Sequence, residues 1–193
     1  MLYRVIRQIF TWIFMTVYRW DVRGRENIPE KGPFIMCANH ISWWDPPLVG
    51  ALTKHPARFM SKTELFEIPI MGFILPRIGV FPVKRESADL RAIKTAIDTL
   101  KAGGNLGMFP EGTRSRTSEL LPPQAGVGLI AIKSQAPVVP IAIIGPYKPL
   151  RRLKVRIGKP MMFTEYYGGK AKSEHLEAVA NLIMAEIARL RQD

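Results

Sequence analysis

The sequence predicts an α/β fold: a single mixed, parallel-rich sheet flanked by helices, with an N-terminal amphipathic helix ahead of it. Three observations predict it. Short apolar runs alternate with segments of helical periodicity along most of the 193 residues, as expected when strands are joined by helical crossovers. Several runs are apolar throughout, as in Phe34-Ile35-Met36-Cys37-Ala38, which suits strands covered on both faces. Apolar residues make up 47% of the chain, enough for burial to offset chain entropy in one domain.

The elements follow in order. From residue 2 to residue 20, Leu2, Val5, Ile6, Ile9, Phe10, Ile13, Phe14 and Val17 fall at helical spacing. Arg4, Arg7, Gln8, Thr11 and Arg19 gather on the opposite side. Strands are expected at 20–23, 34–38, 58–61, 80–83, 106–109, 138–144 and 154–157. Helices are expected near 46–53, 70–75, 88–101, 126–134 and 174–191, with Gly103 ending the third and Ser173 capping the last. The chain divides into a helical segment, 1–20, and an α/β domain, 21–193, with no internal repeat and no low-complexity linker.

The first helix is read as lying in a membrane interface. Trp12, Tyr18 and Trp20 suit a water–lipid boundary, and Arg4, Arg7 and Arg19 would each add about 1 kcal/mol near an anionic leaflet. The alternative is a helix packed on the domain's own core. A signal peptide fits poorly, because Thr11 and Thr16 interrupt the apolar run and Arg19-Trp20-Asp21 is a poor cleavage site. No apolar stretch reaches the roughly 18 residues of a spanning helix.

The chain carries 28 Lys+Arg against 16 Asp+Glu, a net charge of +12. This excess attracts nucleic acid, an anionic membrane or a phosphorylated substrate, and charge alone does not choose among them. The single cysteine, Cys37, excludes an internal disulfide and reads as a buried core thiol.

Four constellations carry the chemistry. The first, from Asn39-His40 to Asp45-Pro46, follows an apolar strand. His40 and Asp45 are five positions apart, so on a straight helix they would point about 140° apart. They meet only if the segment turns, and Asp45-Pro46 reads as a helix N-cap with proline at the first helical position. A carboxylate beside an imidazole makes a general base. Alternatively, Asp45 only caps a helix and His40 is an ordinary loop residue.

The second constellation, Phe109-Pro110-Glu111-Gly112-Thr113-Arg114-Ser115, also ends a strand. Gly112 permits close approach of a ligand, Arg114 offers a fork for phosphate, and Glu111 could orient an arginine or receive a substrate hydroxyl. An ordinary turn with a solvated Arg is the alternative. The third ends a strand in Lys84-Arg85, and the fourth, Val139-Pro140-Ile141, is an apolar strand broken by proline. His40, His55 and His175 have no spacing that makes a metal site, and His55 and His175 read as solvent-facing.

In this order and spacing the four blocks resemble the glycerolipid acyltransferase family, in particular its 1-acylglycerol-3-phosphate acyltransferases, over residues 22–157. Phe81-Pro82-Val83-Lys84 departs from the family's usual residues before the arginine. The resemblance implies that family's fold and acyl transfer from acyl-coenzyme A or acyl carrier protein to a glycerolipid hydroxyl. It implies His40 and Asp45 as the catalytic pair, and Arg85, Lys84, Glu111, Gly112, Thr113 and Arg114 as substrate-binding. It implies no cofactor, a membrane lipid as partner, no nucleic acid, and a peripheral or monotopic place on the cytoplasmic face of the cell membrane. The same chemistry on another acceptor (glycerol-3-phosphate, another lysophospholipid or an amino-lipid) is the rival within enzymes. Outside them it is a basic membrane-surface binding protein.

Overall fold

The computed structural model describes residues 2–84, 89–169 and 172–192. Seven strands form one sheet: β1 (Asp21–Arg23), β2 (Ile35–Ala38), β3 (Ala57–Lys62), β4 (Phe81–Val83), β5 (Asn105–Met108), β6 (Val138–Ile144) and β7 (Lys154–Ile157), in the order β1-β7-β6-β2-β5-β3-β4. The pairs from β6 through β4 are parallel, β7 runs antiparallel to β6, and β1 runs parallel to β7. The helices are α1 (Leu2–Thr16), α2 (Asp45–Leu52), α3 (Glu64–Glu67), α4 (Pro69–Arg77), α5 (Leu90–Lys101), α6 (Ala125–Ser134) and α7 (Ser173–Leu190).

The continuous apolar runs are explained by two cores. In β2, Ile35 and Cys37 pack with α5, α6 and α7 on one face. Met36 and Ala38 pack with α1 and α2 on the other. Both faces of a parallel strand are covered, so neither alternates with polar residues.

Helix α1 packs one face on the domain's core, as the second reading expected, and leaves another apolar face exposed. Phe14 is fully buried, with Phe10, Ile13 and Val17 packed against the same core. Leu2, Val5, Ile9 and Trp12 lie on another face and are exposed, Trp12 at 66%. Among the described residues no helix is long and apolar enough to cross a membrane.

Several local expectations change. Helix α5 is capped by Asp89, whose side chain accepts from the N–H groups of Arg91 and Ala92; Ala88, the expected first residue, lies outside the described residues. Ser173 does not cap α7; it begins that helix and its hydroxyl bonds Glu177. Gly103 ends α5 as expected, at φ 83°. His55 is exposed as expected. His175 is not solvent-facing: it is half-buried, 5.4 Å from the Tyr166 ring between centroids.

Candidate active site

The parallel pair β2 and β5 builds the site. Their register sets Cys37 opposite Met108, so the chains leave the sheet side by side, one into Asn39-His40 and the other into Phe109-Pro110-Glu111. Carboxyl ends of adjacent parallel strands are where such sheets gather ligands. Three contacts tie the two exits together. The His40 N–H donates to Glu111 Oε1 at 2.9 Å, the Ser115 N–H donates to the His40 carbonyl at 2.8 Å, and the His40 ring stacks on Phe109 at 4.1 Å between centroids.

Asp45 reaches His40 because the loop between them turns back. Its Oδ2 accepts from His40 Nδ1 at 2.7 Å and from the N–H groups of Ile41 and Ser42 at 2.6 and 2.7 Å. Its Oδ1 accepts from the Tyr147 hydroxyl at 2.5 Å. Asp45 is fully buried, and these four donors satisfy a charge that would otherwise be costly there. The expected helix cap is absent. The physical reason lies in Pro46 and Pro47, which have no N–H to donate, while the Leu48 N–H is taken by the Trp44 carbonyl at 3.0 Å. The carboxylate therefore turns to the loop behind it.

An acceptor-only carboxylate fixes Nδ1 of His40 as the donor, leaving Nε2 as the basic nitrogen. Nε2 has no partner among the described residues. The His40 side chain keeps 9% of its surface exposed, while that of Asp45 keeps none. The base is thus clamped at Nδ1 and free of a partner at Nε2.

The remaining expected residues divide. Glu111, expected to bind substrate, is 3% exposed and its two oxygens accept from the His40 and Leu121 N–H groups at 2.9 and 3.1 Å, so it braces two loops. Burial pushes its carboxyl up, partly countered by the N–H groups of His40 and Leu121. Gly112 adopts φ +69°, where an L side chain is strained, and its N–H closes a turn onto the Phe109 carbonyl at 3.0 Å. Thr113 is exposed at the rim. Arg114 lies with its guanidinium carbon 3.8 Å from the centroid of the Trp43 ring, which puts it against the loop that joins His40 to Asp45. Lys84 is exposed at the end of β4, roughly 10 Å across the sheet from the β5 strand at the usual strand spacing. Arg85 lies outside the described residues.

Sequence reasoning misses Tyr147 and Trp43 as the platform for Arg114, and it names Asn39 without its role, which is to bond β6 through its side chain. Only Asn39, a buried amide directly after a strand, carries a local signal. Cys37 is fully buried and burial pushes its thiol up, which suits core packing and not a nucleophile.

The acyltransferase family model matches residues 19–144. A 1-acyl-sn-glycerol-3-phosphate acyltransferase of Bacillus subtilis is 34% identical over 175 residues, covering 88% of this chain and 86% of that protein. One of Streptococcus pneumoniae is 31% identical over 204 residues, covering 97% and 75%. The crystal structure of the 1-acyl-sn-glycerophosphate acyltransferase of Thermotoga maritima superposes with a TM-score of 0.75 at 28% identity, covering all of this chain and 79% of that one.

Proposed function

Since the chain belongs to the acyltransferase family, we infer that it acylates the sn-2 hydroxyl of 1-acylglycerol-3-phosphate, making phosphatidic acid for phospholipid synthesis. The observation that carries this reading is the His40 Nδ1 to Asp45 Oδ2 hydrogen bond of 2.7 Å, which leaves Nε2 without a partner among the described residues. Nε2 takes the acceptor's hydroxyl proton as the oxygen attacks the thioester carbonyl. The tetrahedral intermediate collapses, the C–S bond breaks, and the imidazolium returns the proton to the leaving thiolate. Asp45 holds the ring and balances the transient imidazolium charge. General base catalysis of this kind supplies about 10²–10⁴-fold, and placement of the hydroxyl supplies much of the rest.

Arg114 is the residue proposed to grip the acceptor phosphate. Its stacking on Trp43 leaves the guanidinium's in-plane N–H groups for a phosphoryl group. The donor is proposed as acyl-coenzyme A or acyl carrier protein, and no cofactor enters the chemistry as written, because a thioester is already activated.

The reading includes peripheral attachment to the cytoplasmic face of the membrane through the exposed apolar side of α1. Ile70 and Phe73 of α4, 71% and 60% exposed, are proposed as a second contact. Exposure of that much apolar surface supports it.

The deciding experiment offers the purified protein one labelled acyl donor and a panel of acceptors in vesicles. The expected result is preferential acylation of 1-acylglycerol-3-phosphate. Preference for glycerol-3-phosphate, a neutral lysolipid or an amino-lipid would replace the acceptor, and no transfer to any of them would remove the enzyme reading.

A further inference from the structure

The most deeply held group in the site is Asp45, and one of its four donors comes from outside the four sequence blocks. Oδ2 is served by its own loop, through His40, Ile41 and Ser42. Oδ1 has one partner among the described residues, the Tyr147 hydroxyl, at 2.5 Å and 102 positions along the chain. Hydrogen bonds from O–H to a carboxylate are among the strong ones at this length.

Tyr147 is built to stay there. It follows β6 after Gly145 and Pro146, and its ring meets Tyr18 edge-on at 5.6 Å between centroids. The stretch that follows it is fastened to the end of α1 by the Leu150 N–H to the Val17 carbonyl at 2.7 Å and the Leu153 N–H to the Tyr18 carbonyl at 3.1 Å. Burial and the adjoining Asp45 carboxylate push the phenol far up, so the hydroxyl remains protonated and donates.

We propose that Tyr147 is a positioning residue for acyl transfer, its hydroxyl holding the Asp45 carboxylate and drawing off part of its charge, so that Asp45 sets the basicity of His40. This rests on the reaction inferred above. The groups that face His40 are Asp45 on its own loop, Glu111 after β5 through the His40 backbone, and Tyr147 through Asp45. Arg114 lies on Trp43 of the intervening loop. Of these, Tyr147 alone bonds the carboxylate oxygen that His40 does not use.

A hydrogen bond to a carboxylate spreads its negative charge. Without it, Asp45 pulls harder on the proton at Nδ1 and stabilises the imidazolium more. The imidazolium then forms at higher pH, and it returns its proton to the thiolate less readily. The ring also loses one of the constraints on its orientation.

The test is Tyr147→Phe, which keeps the ring against Tyr18 and removes one oxygen. Three readouts are taken: kcat and KM for the preferred acceptor, the pH profile of kcat/KM, and the NMR titration of the His40 imidazole without substrate. The expected results are a kcat about 10-fold lower, the size of one modest hydrogen bond to a charged group, with KM little changed. The acid limb of kcat/KM and the His40 titration should both move to higher pH. Fluorination of the tyrosine ring at position 147 makes the hydroxyl a stronger donor without disturbing packing, and should move both to lower pH; this arm serves if Tyr147→Phe folds poorly. A residue that only fills space would change Tm and leave the acid limb and the titration unmoved in both proteins, and that result overturns the proposal. If the titration moves but the wild type transfers no acyl group, the Tyr147 relationship stands and the reaction inferred above fails.

Discussion

Asn39 and Ile143 are paired in both directions. The Ile143 N–H donates to Asn39 Oδ1 at 2.7 Å, and Asn39 Nδ2 donates to the Ile143 carbonyl at 3.0 Å. The side chain thus stands in for a backbone rung between β2 and β6, and the main chain is released to carry His40 out of the sheet. Asn39→Leu leaves both groups of Ile143 buried and unpaired, at about 1–3 kcal/mol each. Urea unfolding should show a loss on the order of 2–5 kcal/mol. A loss under about 0.5 kcal/mol would mean that the rung carries no weight.

For Asp45→Asn the hydrogen bonds can be kept. The Asn oxygen can face the three donors of Oδ2, and its amide can donate to a reoriented Tyr147 hydroxyl. Folding should persist while the negative charge is lost. The expected outcome is a fall of about 10²–10⁴ in kcat with a Tm close to wild type. Activity near wild type would remove Asp45 from the mechanism.

Arg114→Ala tests the phosphate grip. Loss of charge-assisted bonds worth about 1.5–3 kcal/mol corresponds to roughly 10- to 100-fold in kcat/KM on the phosphorylated acceptor. A neutral glyceride acceptor should be affected far less. Arg114→Lys should rescue only part, because an ammonium neither stacks on Trp43 as a plane nor forks. Equal losses on charged and neutral acceptors would sink the grip.

Glu111 gives a pH signature in stability. Burial raises its carboxyl in the folded chain, above the unfolded value of about 4.3. The folded state therefore binds this proton more tightly, and this group's contribution to stability falls as pH rises from about 4.3 through the folded value. Glu111→Gln carries a fixed cost, from setting an amide against the Leu121 N–H, but it does not titrate. Relative to wild type the variant should gain as pH rises above about 4.3, as read by urea midpoints over a pH series. Parallel curves would show that the carboxyl ionises without opposition.

The two faces of α1 separate by mutation. Phe14→Ala, at a fully buried ring, should cost roughly 3–5 kcal/mol of stability. Trp12→Glu, at a ring 66% exposed, should change stability by less than about 0.5 kcal/mol and reduce binding to phosphatidylglycerol-containing vesicles. Undiminished vesicle binding of Trp12→Glu would assign attachment to another surface, with α4 the next to test.

His40 and the stretch around Arg114 are legible in the sequence because they lie just beyond apolar strands, where parallel sheets place chemistry, and Asp45 because its proline marks the helix that follows. Tyr147 and the role of Asn39 are not. Both depend on β2 lying between β5 and β6, an order that no local pattern records. Asp45 shows how a correct signal can mislead in detail: Asp-Pro marks the start of α2, yet the second proline removes the donor that a cap would need. The α1 sequence likewise states how much apolar surface exists but not how it divides between core and exterior.

The bonds that knit the centre span 71 residues from His40 to Glu111, 102 from Asp45 to Tyr147 and 104 from Asn39 to Ile143. Contacts this distant form late, because loop closure must come first. As the chain leaves the ribosome, α1 is made long before β6. The carboxylate of Asp45 is only five residues from the base, but its brace from Tyr147 and the rung from Asn39 to β6 wait until residues 143–147 have been made and folded back.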